Sequence, residues 1–111
     1  MDSVREITPS QLVARLSGPA EKRPVLLDVR WPQENEYVAL PDSILIPLNE
    51  LEERVSELDQ FRGREVLVYC HHGVRSLTGA SICTAHGLEA VSLRGGIHLW
   101  ACDIDPSMPR Y

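Results

Sequence analysis

Short apolar runs alternate with helix-like stripes of apolar residues along most of this chain. Four continuous runs are typical of buried parallel strands, because both faces of such a strand are covered. They occupy residues 25–29, 44–46, 65–69 and 90–93. Apolar residues at helical spacing predict helices before, between and after these runs. The helical segments are 9–16, one turn after Pro32, 48–58, 76–85 and 97–102.

Local signals mark where several of these helices begin and end. Thr8 followed by Pro9 predicts a helix start, because the threonine oxygen accepts a hydrogen bond from the first turn and proline fits its first position. Residues 49–52 have the pattern of a capping box, which predicts the start of the third helix. Gly87 suits the end of the fourth helix. The tail, residues 102–111, contains two prolines and is expected to be extended.

The alternation of strands and helices predicts an α/β domain, with βαβ units, a parallel sheet and helices on both faces. In such sheets, ligands bind outside the carboxyl ends of the strands. Asp28 lies near the end of one apolar run, and Cys70 directly follows another. We therefore expect both residues at the edge where a ligand would bind.

Composition narrows the class of protein further. We expect one domain over residues 1–111, with a core of about 8–101, because this length is enough to bury a core. The formal net charge of −5 argues against nucleic acid and anionic membrane as partners. Three cysteines without a regular spacing suit a reducing compartment. Residues 1–6 contain no apolar run that would predict a signal peptide, so the expected location is cytoplasmic.

The segment after the third apolar run carries the strongest chemical signal. It lies where a strand is followed by a helix, and there backbone N–H groups and the helix dipole stabilise a thiolate or a bound anion. The segment reads Cys70, His71, His72, Gly73, Val74, Arg75, Ser76. Cys70 is therefore the predicted nucleophile.

Four landmarks occur in a fixed order along the chain. They are Leu27-Asp28-Val29-Arg30, Ile46-Pro47, Cys70-x-x-Gly73-x-Arg75-Ser76 and Leu93-x-Gly95-Gly96-x-x-x-Trp100. Together they resemble the single-domain, thiosulfate-sulfurtransferase-like rhodaneses over about residues 8–100. Residues 105–111 also resemble the tail of rhodanese domains fused to adenylyltransferases of the molybdopterin-synthesis type.

The resemblance implies a rhodanese-like fold, with a central, mostly parallel five-stranded sheet, and a sulfurtransferase activity. In such an enzyme the Cys70 thiolate takes the outer sulfur of a donor such as thiosulfate and passes it from a persulfide to a thiophilic acceptor. No cofactor is implied, because the covalent cysteine persulfide is the intermediate. The expected substrate-binding residues are His71, His72, Gly73, Val74, Arg75 and Ser76, with Asp28 and Arg30 in support.

Arg75 has two alternative roles in this scheme. Its permanent charge is suited to holding the sulfonate of a donor, or to stiffening the loop through a carboxylate. Asp28 and Glu34 are the candidate carboxylate partners for Arg75 or Arg30.

The length of the cysteine loop separates two related chemistries. Four residues lie between Cys70 and Arg75. The related phosphatases have five, which makes a pocket wide enough for a tetrahedral phosphate, so the shorter loop favours sulfur. Two further hypotheses stay open: a non-enzymatic binding module, and a carrier that takes persulfide from a protein donor and passes it to a ubiquitin-like sulfur-carrier acceptor.

Other conspicuous residues are expected to be structural. Trp31 is expected to cover the core more readily than to form part of a docking surface. Cys83 is expected in the core, and Cys102 is expected to be structural rather than a resolving thiol. No metal is expected, because His71 and His72 are adjacent and should point in different directions, and no second group of ligands is visible.

Overall fold

A five-stranded sheet, in which all neighbouring strands run parallel, forms the centre of the computed structural model. The structure describes residues 4–111. The strands are β1 (Glu6–Ile7), β2 (Val25–Asp28), β3 (Ile44–Leu45), β4 (Glu65–Tyr69) and β5 (Glu89–Leu93). Their order across the sheet is β1-β5-β4-β2-β3. The predicted α/β class and parallel sheet are confirmed.

Five α-helices connect or follow these strands. They are α1 (Pro9–Leu16), α2 (Pro32–Tyr37), α3 (Leu48–Arg54), α4 (Arg75–Ala85) and α5 (Gly96–Asp103). Short 3-10 helices cover Ala20–Lys22 and Val55–Phe61. Across residues 4–111, no helix combines the length and the apolar character that a membrane crossing requires.

Apolar side chains on the two faces of the sheet form two separate cores. One includes Leu51 of α3 and Ala80 of α4, and the other includes Leu12 of α1 and Ile97 of α5. Strand β4 contributes to both cores, because successive side chains of a strand point to opposite faces. Helices therefore cover both faces of the sheet, as predicted.

The helix starts agree with the sequence signals at one place and differ at another. At α1, the backbone N–H of Gln11 donates to Thr8 Oγ1 at 3.2 Å, which confirms the predicted cap. The capping box predicted at 49–52 is wrong, because α3 begins at Leu48 and has no side-chain cap. The N–H of Leu48 instead donates to the carbonyl oxygen of Val29 at 3.1 Å. Tertiary contact with the chain after β2 thus replaces a local cap.

Strand β1 was absent from the sequence-based prediction. It is two residues long, and Ile7 pairs with Leu93 at one edge of the sheet. Such a short segment shows no apolar periodicity, so only its pairing identifies it as a strand.

The register of the central strands places two predicted site residues at one edge. Asp28 of β2 is paired with Tyr69 of β4. Cys70 follows Tyr69 directly, so the carboxyl ends of the two strands lie side by side. This edge carries the candidate active site.

Candidate active site

Cys70 lies at the carboxyl end of β4 with its thiol almost completely buried, since the residue is 1% exposed. Its Sγ accepts hydrogen bonds from the backbone N–H of Gly73 at 3.2 Å and of Ser76 at 3.3 Å. The Ser76 Oγ lies 3.5 Å from Sγ and 2.7 Å from the Oγ of Ser92. The two backbone N–H groups are thus directed at the sulfur and would donate to an anion formed there.

The loop from Cys70 closes on itself because Gly73 adopts a backbone conformation that other residues avoid. Its φ is +94°, and a Cβ at this position would stand 2.9 Å from the backbone nitrogen of Gly95. A side chain is therefore excluded by both conformation and space. The tight curve turns the Gly73 N–H toward Sγ and lets α4 begin at Arg75.

Helix α5 supports the same loop from behind. The N–H of Ile97 donates to the Cys70 carbonyl oxygen at 2.9 Å, and the N–H of His98 donates to that of His71 at 3.0 Å. Unpaired N–H groups at the start of α5 thus bind the carbonyl groups of the loop. The position of the nucleophile depends on two helix starts, those of α4 and α5.

Arg75 forms a bidentate ion pair with Glu34 of α2, through Nη1 to Oε1 at 2.7 Å and Nη2 to Oε2 at 2.9 Å. The hydrogen bonds from Arg75 lower the pKa of Glu34 from 4.5 to about 2, against the effect of burial. The same hydrogen bonds raise the pKa of Arg75, and the Coulomb attraction of Glu34 adds to this effect. Of the two predicted roles of Arg75, the structure shows the contact with a carboxylate.

Asp28 and Arg30 form a second, fully buried ion pair, with both side chains 0% exposed. Arg30 Nη2 donates to Asp28 Oδ2 at 2.7 Å, and the Arg30 Nε and backbone N–H both donate to Oδ1. Asn35 Nδ2 also donates to Asp28 Oδ2 at 2.9 Å. The carboxylate is thus occupied by the chain that follows β2, so its contacts are those of an anchor rather than of a catalytic group.

Tyr111, in the tail, is a site residue that sequence reasoning missed. Its hydroxyl donates to Glu34 Oε2 at 2.7 Å and accepts from Arg30 Nη1 at 2.8 Å, so it joins the two ion pairs. Its ring stacks on His71 with centroids 3.8 Å apart and an angle of 6°. Burial raises the pKa of Tyr111 to about 12. The tail resemblance drew attention to this segment, but no local pattern indicated which side chain it would meet.

The histidines of the loop lie together, contrary to the expectation that they point in different directions. The ring centroids of His71 and His72 are 3.9 Å apart, and His98 of α5 lies 5.0 Å from His72 and 5.9 Å from His71. A hydrogen bond from the His98 N–H to the His71 carbonyl oxygen and the stacked ring of Tyr111 hold His71 in this position. Burial lowers the pKa of His71, and the neighbouring His72 contributes to this effect.

Two large apolar side chains in and near the loop are exposed. Val74 is 73% exposed and Trp31 is 54% exposed, so the prediction that Trp31 covers the core is wrong. Trp31 precedes α2, whose first turn holds Glu34 against Arg75, and this leaves the indole at the surface. Trp31 lines a groove of about 200 Å³ together with Val29, Leu48, Asn49 and Arg75.

The other two cysteines differ from Cys70 in environment. Cys83 is buried in the core, as predicted, and burial raises its pKa to about 11. Cys102 is exposed, with its Sγ 3.8 Å from His98 Nε2. All three cysteines are unpaired. Only Cys70 has a thiol that accepts hydrogen bonds from backbone N–H groups among the contacts described for residues 4–111.

Comparison with known protein families identifies the fold. The family sequence model described as the rhodanese-like domain matches residues 8–102 of this chain. The chain belongs to this family. The match covers both helix starts that form the loop, while Tyr111 lies beyond it. A protein of Allochromatium vinosum named "Sulfurtransferase" is similar to this rhodanese-like chain, with 33% identity over 88% of this chain and 89% of the relative.

A second relative is the "Adenylyltransferase and sulfurtransferase uba4" of Ogataea parapolymorpha, with 36% identity over 83% of this chain. The rhodanese-like chain corresponds to 24% of that relative's length. Among solved structures, a rhodanese-related protein from Thermoplasma volcanium has a TM-score of 0.79 and 31% identity, over 90% of this chain and 93% of that chain. The human single-domain sulfurtransferase TSTD1 shares the fold, with a TM-score of 0.75 and 20% identity over 90% of this chain and 97% of that chain.

Proposed function

We propose that this rhodanese-like domain is a sulfurtransferase that carries sulfur as a persulfide on Cys70. The observation that supports the proposal most directly is the thiol at the start of α4, which accepts hydrogen bonds from Gly73 and Ser76. A sulfur nucleophile reacts as the thiolate, and these N–H groups point at the atom that would carry its charge.

The proposed reaction consists of two displacements at sulfur. The Cys70 thiolate attacks the outer sulfur of a small donor such as thiosulfate, the S–S bond of the donor breaks, and sulfite leaves with the bonding electron pair. An acceptor thiolate, or cyanide in the test tube, then attacks the outer sulfur of the persulfide and releases the Cys70 thiolate. Electrons move only as pairs between sulfur and its partners, so the scheme needs no cofactor.

Each loop residue has a part in this scheme. Residues 71–76 supply the backbone that surrounds the added sulfur, with Gly73 and Ser76 already directed at Sγ. Arg75, held by its bidentate ion pair with Glu34, stiffens the loop at the start of α4. Asp28 and Arg30 anchor the neighbouring segment and act only through the loop's position.

A protein acceptor is the second candidate, and exposed apolar side chains in the loop, before and in α2, and in α4 favour it. We define the mouth patch as Trp31, Tyr37, Val74 and Leu77, each at least 36% exposed. Apolar side chains that surround a reactive group are typical of sites that contact another protein. A ubiquitin-like sulfur carrier, whose extended end would reach the buried thiol, is the proposed acceptor, and a protein persulfide is the alternative donor. Nucleic acid and membranes do not fit the net charge of −5.

The proposal is tested by intact-mass spectrometry after brief exposure to thiosulfate. We expect a gain of roughly 32 Da, the mass of one sulfur, which disappears when cyanide is added. The Cys70→Ser variant should show no gain, whereas Cys102→Ser, which removes the exposed thiol, should behave like the wild type. An adduct that persists in Cys70→Ser would contradict the assignment. If no adduct forms in the wild type with thiosulfate or with a persulfide donor, the domain is a binding module.

A further inference from the structure

Three of the four histidines of the chain come together at the cysteine loop: two neighbours in the loop and one from helix α5. We call His71, His72 and His98 the histidine cluster. Each offers one ring nitrogen, and these three atoms lie within 4.8 Å of one another. The fourth histidine, His86, lies elsewhere and pairs with Asp59 at 2.9 Å. The cluster is therefore a feature of the tertiary fold.

Backbone hydrogen bonds and packing hold the cluster in place. The His98 N–H donates to the His71 carbonyl oxygen at 3.0 Å, which ties the two residues together through their main chains. Tyr111 stacks on the face of His71 with ring centroids 3.8 Å apart, which fixes the plane of that ring. The imidazoles are thus brought together by contacts that do not depend on a ligand, as a preorganised site requires.

Two ring nitrogens of the histidine cluster have no hydrogen-bond partner among the described residues. They are His71 Nε2 and His98 Nδ1, and both atoms are buried. A buried polar atom without a partner is costly, and native proteins satisfy most such atoms. A buried imidazole nitrogen without a hydrogen-bond partner is suited to coordinate a metal ion, because the ion takes the place of the hydrogen-bond partner.

We propose that the histidine cluster binds one divalent transition-metal ion through His71, His72 and His98. Neutral imidazole is a good ligand for Zn²⁺, Cu²⁺ and Ni²⁺. Because Zn–N bonds of about 2.0 Å place tetrahedral ligand atoms about 3.3 Å apart, modest side-chain rotation closes the observed spacing. Three protein ligands leave one position of the ion for water.

The metal site adjoins the cysteine loop but does not include the nucleophile. Cys70 Sγ is directed at the N–H groups of Gly73 and Ser76, and it does not belong to the group of atoms within 4.8 Å. The inference is therefore independent of the proposed sulfur transfer. It predicts metal binding in a protein whose Cys70 has been replaced.

The experiment measures Zn²⁺ binding to the untagged full chain by calorimetry, and Co²⁺ binding by visible absorption. We expect one site. His98→Gln should weaken Zn²⁺ binding at least about tenfold, since even loss of a supporting contact costs 10- to 100-fold in affinity. His86→Gln, the matched control, should bind like the wild type. Cys70→Ser should also bind, and the Co²⁺ spectrum should lack the near-ultraviolet charge-transfer band of a thiolate ligand.

Three outcomes would overturn the inference. These are the absence of a stoichiometric site in the wild type, equal affinity of His98→Gln and His86→Gln, and loss of binding in Cys70→Ser. The last result would place the metal on the thiol. Circular dichroism of His98→Gln checks its fold, and His72→Gln, which alters an exposed ring, gives a second test of the same prediction.

Discussion

At the scale of single residues, Glu34 makes contacts that join three separate segments around the loop. Its carboxylate accepts from the Trp31 backbone N–H at 3.0 Å, from both terminal nitrogens of Arg75, and from the Tyr111 hydroxyl. The side chain is only 16% exposed, so solvent screens these charges weakly. One carboxylate therefore connects α2, α4 and the tail.

The lowered pKa of Glu34 predicts how stability changes with pH. Its folded-state pKa is about 2 against an ordinary 4.5, so its contribution is present above pH 4.5 and is lost as the pH falls toward 2. We expect Glu34→Gln to lose roughly 2 kcal/mol of stability at pH 7 and to show a shallower decline between pH 5 and pH 2. Urea denaturation across this range measures both quantities.

Glu57 provides the control for this prediction. Its hydrogen bond with Arg54 also lowers its pKa, but the pair lies on the exposed surface. Solvent screening makes such pairs weak, so Glu57→Gln should leave the pH dependence close to that of the wild type. If the free energy of unfolding changed with pH in the same way for the wild type and Glu34→Gln, the Arg75 contact would contribute nothing to stability.

At the scale of secondary-structure elements, the start of α5 is in close backbone contact with the cysteine loop. Gly96 has φ of +62°, and a Cβ there would stand 2.5 Å from the Cys70 carbonyl oxygen and closer still to that of His71. The close approach allows the N–H groups of Ile97 and His98 to reach the loop. Helix α5 and the cysteine loop therefore pack against each other at one junction.

Replacing Gly96 with alanine tests this junction. The new methyl group would collide with backbone atoms that cannot move aside, so we expect a loss of roughly 3 kcal/mol or more in the free energy of unfolding. Gly63→Ala is the matched control, because Gly63 also has a positive φ of +92° but has nothing within 4 Å of the added Cβ. It should cost only about 1 kcal/mol.

Thermal or urea denaturation of the two glycine variants gives the comparison directly. Equal losses of stability would mean that backbone conformation alone matters and that the contact between α5 and the loop is unimportant. A selective loss in Gly96→Ala, together with slower alkylation of Cys70, would show that the junction also sets the geometry of the thiol.

At the scale of the whole molecule, hydrogen bonds connect the tail to the segment that follows β2. Tyr111 lies 77 residues from Glu34 and 81 from Arg30, and its hydroxyl bonds to both. The network runs from the buried Asp28–Arg30 pair through Tyr111 to Glu34 and Arg75. It places a continuous set of charge-assisted hydrogen bonds beside the loop.

We expect Tyr111→Phe to destabilise the protein by about 1 kcal/mol, because it removes two hydrogen bonds to charged groups at a partly exposed position. Tyr37→Phe is the control. Tyr37 contacts the Tyr111 ring edge-on, with centroids 5.9 Å apart, and is itself exposed. Its hydroxyl should contribute less than about 0.5 kcal/mol. Similar stabilities of the two variants in urea would show that the tail network is not stabilising.

Much of the fold could be predicted because its signals are local. Continuous apolar runs identified β2 and β4 within one residue, and Thr8 marked the start of α1. Strand β1 was not predicted, and the capping box predicted at 49–52 is wrong, because pairing with β5 and a hydrogen bond to Val29 determine these features. Local patterns cannot report a partner that is distant in sequence.

The candidate site divides in the same way. The order of residues from Cys70 to Ser76 was enough to predict a thiol close to the start of a helix. Backbone N–H groups are unpaired at every helix start, so their presence near this thiol could be predicted as well. Which carboxylate meets which arginine, where Tyr111 lies, and which three imidazoles come together were decided only by the tertiary structure. These contacts form between segments far apart in the chain, and their geometry follows from sheet order and packing.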